Sequence, residues 1–188
     1  MADRKDRAST SSAQAVLFVS PQDPEEIVWQ GKYITTKRRG KWEYVSRSRG
    51  IGAAVILAVD DGHVLLVEQY RMPLQARCLE LPAGLVGDET EGEDVATSAA
   101  RELEEETGYR PDHIEIIGTF ASSPGMVSET FTLVRAHGLT QVGEGGGVPG
   151  EDITVHRVAV ADLAGFIADK RRDGVVIDVK MLALLQFG

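Results

Sequence analysis

The segment ARELEEETGYR, residues 100–110, sets four carboxylates within five positions, Glu102, Glu104, Glu105 and Glu106, and then halts at Thr107-Gly108. Carboxylates spaced this closely on a helix repel one another. A helix turns about 100° per residue. On that wheel Val95, Ala96, Ala99, Ala100 and Leu103 share one arc about 140° wide, the side that must face a core. Glu106 projects inside this arc, between Val95 and Ala99. Glu102 falls at its edge, Glu105 lies about 60° further round, and Glu104 points to the opposite side. Solvation accounts for Glu104. A carboxylate turned into the protein body must instead be paired, protonated or bound to a metal, because burying it alone is costly. Arg101 can satisfy one such group and not three. The helix is therefore either a solvated surface, which suits Glu106 poorly, or a face with something strongly cationic against it.

The flanking sequence reads mostly as strands. GAAVILAVDDGHVLLVEQYR, residues 52–71, is a hairpin pattern, with two β-branched runs joined at the favoured turn pair Asp61-Gly62. Before it, AVLFVS and EEIVWQGKYITTKRRGKWEYVSRSR alternate apolar and polar residues around a Gly-containing basic turn, which predicts two or three antiparallel strands. CLELPAG, residues 78–84, reads as a short strand entering the loop LVGDETEGED. The helix spans Val95 to Thr107, with Gly108 placed to end it in a left-handed conformation. HIEIIGTFA, ETFTLVRAHG and ITVHRVAV are further strand patterns. The Gly-rich LTQVGEGGGVPGED between the last two is too polar to pack and is expected to be mobile. Helices are expected near Asp162 to Arg172 and Val179 to Gln186. Strands, one helix, more strands and then helices make a mixed α/β or α+β pattern without the strict alternation of a doubly wound fold. Residues 1–14 are small and polar without periodicity, and read as a disordered tail.

Charge narrows the function. A net charge of −9 argues against broad nucleic-acid binding. It leaves room for a small phosphate ligand, because the charge is uneven: KRRGK (37–41), Arg47 and Arg49 are basic, whereas residues 88–106 are strongly acidic. An acidic protein can hold an anionic substrate when divalent metal ions sit between the two. No apolar run approaches the roughly 18 residues of a membrane span, and MADRKDRASTSSAQA lacks a signal peptide's apolar segment, so no membrane partner and a cytoplasmic location are expected. The single cysteine, Cys78, has no internal partner and reads as a small buried hydrophobe.

The acidic helix and its approach resemble the signature of the Nudix hydrolases, G-x5-E-x7-R-E-U-x-E-E-x-G-U with U aliphatic. Arg101, Glu102, Leu103, Glu105, Glu106 and Gly108 fill the second half, with Tyr109 at the last, usually aliphatic, place. Glu93 stands eight residues before Arg101, as the pattern asks. Gly84 lies nine residues before Glu93 instead of six, so the loop LVGDETEG carries three extra residues. The resemblance implies an α/β/α sandwich with a mixed sheet, here preceded by an extra N-terminal antiparallel β segment. The implied division is a tail at 1–14, the β segment at 15–49 and a Nudix domain at 50–188. It also implies hydrolysis of a nucleoside diphosphate linked to another group, with Mg2+ or Mn2+. Hard dications take oxygen ligands, and carboxylates at i, i+3 and i+4 can be aimed at one point. By this resemblance Glu102 and Glu106 are the main metal ligands, Glu105 supports or shares them, and the Ala83 carbonyl adds an oxygen. Gly84 lets the backbone pass close. Glu93 and Arg101 brace the loop against the helix.

Other segments resemble the ADP-ribose pyrophosphatase group within that family. Pro124 lies fifteen residues beyond Tyr109, and SPGMVSE, residues 123–129, is similar to the group's substrate loop, which would put Glu129 on the terminal ribose. EQYR resembles the segment whose arginine, here Arg71, holds phosphate. Tyr33 and Trp42 stand roughly where relatives stack adenine, one ring often coming across a dimer; packing on a sheet face is the plain alternative. In GEDITVH, Glu151 matches a further metal ligand. Pro149 occupies the place where relatives carry a Glu proposed to activate water, so that role is open among Glu144, Glu151 and Glu105. The expected activity is cleavage of ADP-ribose or a related nucleoside diphosphate sugar by a homodimer. A GDP-mannose-type pyrophosphatase and a non-catalytic ADP-ribose sensor are the alternatives.

Overall fold

Two larger sheets, a two-stranded ribbon and three α-helices follow from these patterns in a computed structural model that describes residues 23–48, 51–87 and 92–187. The tail expected at 1–14, the apolar stretch at 15–20 and most of the inserted loop, residues 88–91, lie outside the described residues.

The N-terminal segment is a three-stranded antiparallel sheet of β1 (Glu25–Gln30), β2 (Ile34–Arg39) and β3 (Trp42–Arg47), turning at Gly40 with φ 57°. Its register sets the basic stretch opposite two carboxylates, pairing Glu25 with Arg39 and Glu26 with Arg38. Lys37 lies 2.8 Å and Arg39 3.2 Å from Glu25, and Arg38 lies 2.6 Å from Glu26. The local positive charge seen in the sequence is thus largely answered by its own neighbouring strand.

The main sheet begins with the hairpin of β4 (Gly52–Asp60) and β5 (His63–Arg71), whose turn residues Asp61 and Gly62 both have positive φ. That left-handed pair matches the twist of antiparallel strands. The two strands pair only at Val59–Val64 and Asp60–His63 before diverging. β6 (Ala76–Glu80) then pairs with β5, and β7 (Ala83–Val86) pairs with β4. Next come α1 (Val95–Thr107), the short β8 (Tyr109–Arg110), β9 (His113–Ala121), β10 (Thr130–His137) and β11 (Thr140–Gln141). β12 (Thr154–Ala159) leads to α2 (Leu163–Arg172) and to β13 (Val176–Ile177). The eight-stranded sheet runs β13-β6-β5-β4-β10-β9, with β12 also on β5 and β7 also on β4. β10 is parallel to β4 and antiparallel to β9, so the sheet is mixed. The closing helix expected from Val179 to Gln186 is split into a 3-10 turn, Val179–Ala183, and a short α3, Leu184–Phe187.

Side chains alternate across a strand, and β4 is buried on both faces. Ala54, Ile56 and Ala58 join Val134, Ala136, Ala99 and Leu103 beneath α1. Val55 and Leu57 join Val64, Leu66, Leu79 and Leu133 on the other face, covered by Leu163, Phe166 and Ile167 of α2. A mixed sheet between helices is the expected sandwich. Its function-bearing edge is where β7, the second half of α1 and the loop after β9 meet.

Candidate active site

α1 is fixed at both ends. The Asp94 carboxylate accepts hydrogen bonds from the Ala96 and Thr97 N–H groups, and Gly108 closes the helix with φ 76°. Between these caps the wheel holds. Leu103 is fully buried, Glu104 turns outward to Arg110 (2.8 and 2.9 Å), and Glu106 is only 7% exposed. The Ala83 N–H donates to Glu106 Oε2 at 3.0 Å. Burial is the largest influence on Glu106. It pushes the carboxyl up to about 8, with Glu102 and Glu151 adding to it and the Ala83 hydrogen bond and Arg71 opposing it. Glu102 reaches the same place because residue 84 has no side chain. A Cβ on Gly84 would fall 2.0 Å from Glu102 Cδ. Arg101 lies 3.2 Å from both Glu102 and Glu105 and 3.7 Å from Glu93, which also accepts from the Ser98 hydroxyl at 2.6 Å.

These groups open into a cleft of about 420 Å³ that also receives Glu151, Arg71, Glu80, Arg47, Glu129 and Lys180. Arg71 grips the buried Glu80 with two hydrogen bonds, 2.6 and 2.8 Å. Arg47, at the end of β3, pairs with Glu129 across the mouth. The Glu129 loop is further tied to β3: Val45 donates to Met126 O and accepts from the Ser128 N–H, both at 2.9 Å, and Ser46 and Ser128 hydroxyls meet at 2.7 Å. Five carboxylates thus face three cations in the cleft. An anionic phosphate would meet repulsion there unless cations accompany it. The all-oxygen donor set of Glu102, Glu106 and Glu151, with Glu106 buried among like charges, suits hard divalent ions. As they stand, no three carboxylate, imidazole or thiol groups among the described residues already enclose a single ion position.

The structure sorts the other expected residues. Ala83 lines the cleft, and what it is seen to contribute is its N–H to Glu106. Glu105 is held by Arg101 and does not line the cleft; nor does the exposed Glu144. The Gly-rich segment around Glu144, expected to be mobile, is docked on the end of α1. Gly146 and Gly147 donate backbone N–H groups to the Glu106 and Glu105 carbonyls at 2.8 and 3.0 Å, and Val142 donates to Gly108 O at 2.8 Å. The last carbonyls of a helix need donors, and glycine admits the approach they require here: a Cβ on Gly145 would lie 2.4 Å from the Thr107 carbonyl carbon. Tyr33 is 67% and Trp42 52% exposed, and neither lines the cleft within one chain. Trp42 instead shares a hollow with Tyr44, Pro124 and Val127. Glu80 and Lys180 were not singled out from the sequence, and Arg47 only as part of the basic N-terminal stretch. Of the first two, only Glu80 carried a signal, as a charge on a strand otherwise bound for the core.

A sequence model of the NUDIX domain matches residues 48–181, and with this fold and cleft the chain belongs to the Nudix hydrolase family. It is 33% identical over 138 residues to the methanol dehydrogenase activator of Bacillus methanolicus, covering 72% of this chain and 71% of that protein. It is 36% identical over 124 residues to an ADP-ribose pyrophosphatase of Saccharomyces cerevisiae, covering 64% of this chain and about half, 49%, of that protein. A crystal structure of an ADP compounds hydrolase superposes with a TM-score of 0.63 at 23% identity, covering 78% of this chain and 81% of that one, and shares its fold.

Proposed function

We propose that this chain hydrolyses the pyrophosphate of ADP-ribose, or of a related nucleoside diphosphate sugar, to AMP and a sugar phosphate with Mg2+ or Mn2+. The observation that carries the reading is the convergence of Glu102, Glu106 and Glu151, from two separate elements, on a cleft that also presents Arg71. Similarity to an ADP-ribose pyrophosphatase supports the substrate class.

Glu102, Glu106 and Glu151 would hold the divalent ions, with Ala83 beside them. When bound, such an ion neutralises pyrophosphate charge and makes a water more acidic. Arg71, fixed by Glu80, orients the diphosphate from the opposite wall. One water adds to one phosphorus, the bridging P–O bond breaks, and the departing phosphate keeps the bridging oxygen. Of the three candidates for taking the water's proton, Glu151 is the one that lines the cleft, which favours it over Glu105 and Glu144. Glu129, which lines the cleft and pairs with Arg47, is assigned to the terminal ribose.

Tyr33 and Trp42 lie outside the cleft of their own chain. We assign them to the adenine of a second copy's site, which makes the active species a homodimer with composite sites. The exposed apolar residues Ile27, Val28 and Trp29 on the same sheet support this arrangement. The test is incubation with Mg2+ and a panel of ADP-ribose, other ADP-sugars and GDP-mannose, with products identified. AMP and ribose phosphate are expected. GMP release from GDP-mannose as the faster reaction would reassign the substrate, and tight binding of ADP-ribose without turnover would make the chain a sensor.

A further inference from the structure

Glu151 is carried by a short loop, and the geometry points to Arg77 as the residue that sets its position. This inference rests on the metal-binding role proposed for Glu151. The loop is held at one end by Gly146 and Gly147 on the carbonyls of α1, the helix that bears Glu102 and Glu106. Within the loop, Val148 and Glu151 close on each other: the Val148 N–H donates to Glu151 Oε2 and the Glu151 N–H donates to Val148 O, both at 3.0 Å. Gly147 leaves room for that carboxylate, since a Cβ there would lie 2.2 Å from Glu151 Oε2.

At the other end the chain enters β12, which pairs with β5 from Thr154 onward, and between Glu151 and that ladder the loop is held by one side chain. Arg77, on β6, donates to Asp152 Oδ2 at 2.7 Å, to Asp152 O at 3.4 Å and to the Thr154 hydroxyl at 3.2 Å. Its remaining donors go to Glu68: Nε to Oε1 at 2.7 Å and Nη2 to the backbone carbonyl at 2.9 Å. Glu68 is itself buried and fixed by Lys170 at 2.6 Å and His156 at 3.0 Å. Arg77 therefore connects a rigid, buried carboxylate to the residue immediately after Glu151, whereas the Asp152 side chain is otherwise largely in solvent, 79% exposed. A planar guanidinium can hold two partners in fixed directions at once, which a single ammonium cannot. Arg77 touches neither the cleft nor the reacting atoms. It is a positioning residue, and it keeps Glu151 in register with α1 from its place on β6.

Arg77→Met keeps the apolar stem and removes the link. It is expected to lower kcat by about 10-fold or more with KM unchanged, and to weaken Mn2+ binding by a similar factor in a titration of the protein without substrate. That is the size of effect found when a group supporting a metal ligand is removed. In a Glu151→Gln background, Arg77→Met should add nothing further to the kcat loss. Lys170→Met, which loosens Glu68 and leaves the Arg77–Asp152 link in place, should lower the melting temperature and reduce kcat and Mn2+ binding by clearly less than Arg77→Met does. Asp152→Asn removes the charge at the exposed end of the same link while leaving an oxygen acceptor, and should reproduce the Arg77→Met pattern in weaker form in a folded protein. Arg77→Met and Glu151→Gln losses that multiply, or Lys170→Met losses of kcat equal to those of Arg77→Met, would overturn the inference. A wild-type protein inert toward every nucleoside diphosphate sugar defeats the functional reading alone; Mn2+ binding unaltered in Arg77→Met and Asp152→Asn defeats the role of Arg77.

Discussion

The two sheets are written in the same alternating code and end in opposite surroundings. In the main sheet, β4 is buried on both faces, between α1 and α2. In the N-terminal sheet all six residues of β1 are exposed, Trp29 among them at 55%. Both sheets also carry a carboxylate held down to about 2. At Glu68 burial works to raise it and hydrogen bonds from Lys170, Arg77 and His156 prevail; at Glu25 the lowering comes from hydrogen bonds with Lys37, Tyr44 and Arg39. Equal pKa values here do not mean equal contributions to stability. A charge in water is already well solvated, whereas a buried one depends on its partners. The main sheet should therefore be broken by single polar substitutions, and the N-terminal sheet by the loss of whatever covers its apolar face.

The largest effect belongs to the main sheet's site. Glu106→Gln keeps the size of the side chain and removes the carboxyl group that a divalent ion in the cleft would hold in its charged form. Turnover should fall by about two to three orders of magnitude, equivalent to about 3–4 kcal/mol of transition-state stabilisation, while the protein stays folded. Glu104→Gln, on the outward side of the same helix, should be nearly silent in the same assay. Equal behaviour of the two variants would undo the assignment of α1's inner face.

Next comes Glu68→Gln, which leaves the cations of Arg77 and Lys170 facing a neutral amide. Breaking a buried ion pair from one side costs about 3 kcal/mol or more, and this should appear as a lower urea midpoint at pH 7. The sign with pH is fixed by the depressed folded pKa. The stability Glu68 provides is complete above its ordinary value of 4.5 and is lost as pH falls toward about 2. Wild type and Glu68→Gln should converge in acid. A gap between them that widened below pH 4 would contradict this.

Much of this contrast was legible in the sequence, and what was missed has a physical pattern. The helical wheel separated Glu104 from Glu106 because a helix fixes directions locally. The hairpin at Asp61-Gly62 was legible because its turn demands particular residues. The place of Glu80, Arg47 and Lys180 was not, since each reaches the cleft only through tertiary packing of distant segments. The Gly-rich segment looked mobile because its own side chains offer nothing to pack; its anchors are backbone N–H groups given to the carbonyls of Glu105 and Glu106. Composition does not record that kind of contact.

On the N-terminal sheet, Trp42→Ala should weaken adenine nucleotide binding by about 1–3 kcal/mol, the usual worth of stacking a base on an aromatic ring. Binding of Mn2+ should be unaffected. A wild-type protein that sediments as a monomer and still cleaves ADP-ribose at full rate would defeat the composite site, and leave Trp42 as one wall of the hollow it shares with Pro124 and Val127.

The smallest expected effect is at Glu25, where the comparison between the sheets is sharpest. Its carboxylate accepts from Lys37, Arg39 and Tyr44, yet Glu25→Gln should leave the melting temperature unchanged within error. The freed lysine and arginine can turn to water, so no buried charge is left without a partner. Raising the salt concentration should erase any residual difference, because screening acts most strongly on exposed pairs. A loss of stability comparable with that of Glu68→Gln, and insensitive to salt, would mean that Glu25 is covered in solution. Measured at rising protein concentration, such a loss would locate the cover in a second copy of the chain, because only an interface makes stability depend on concentration.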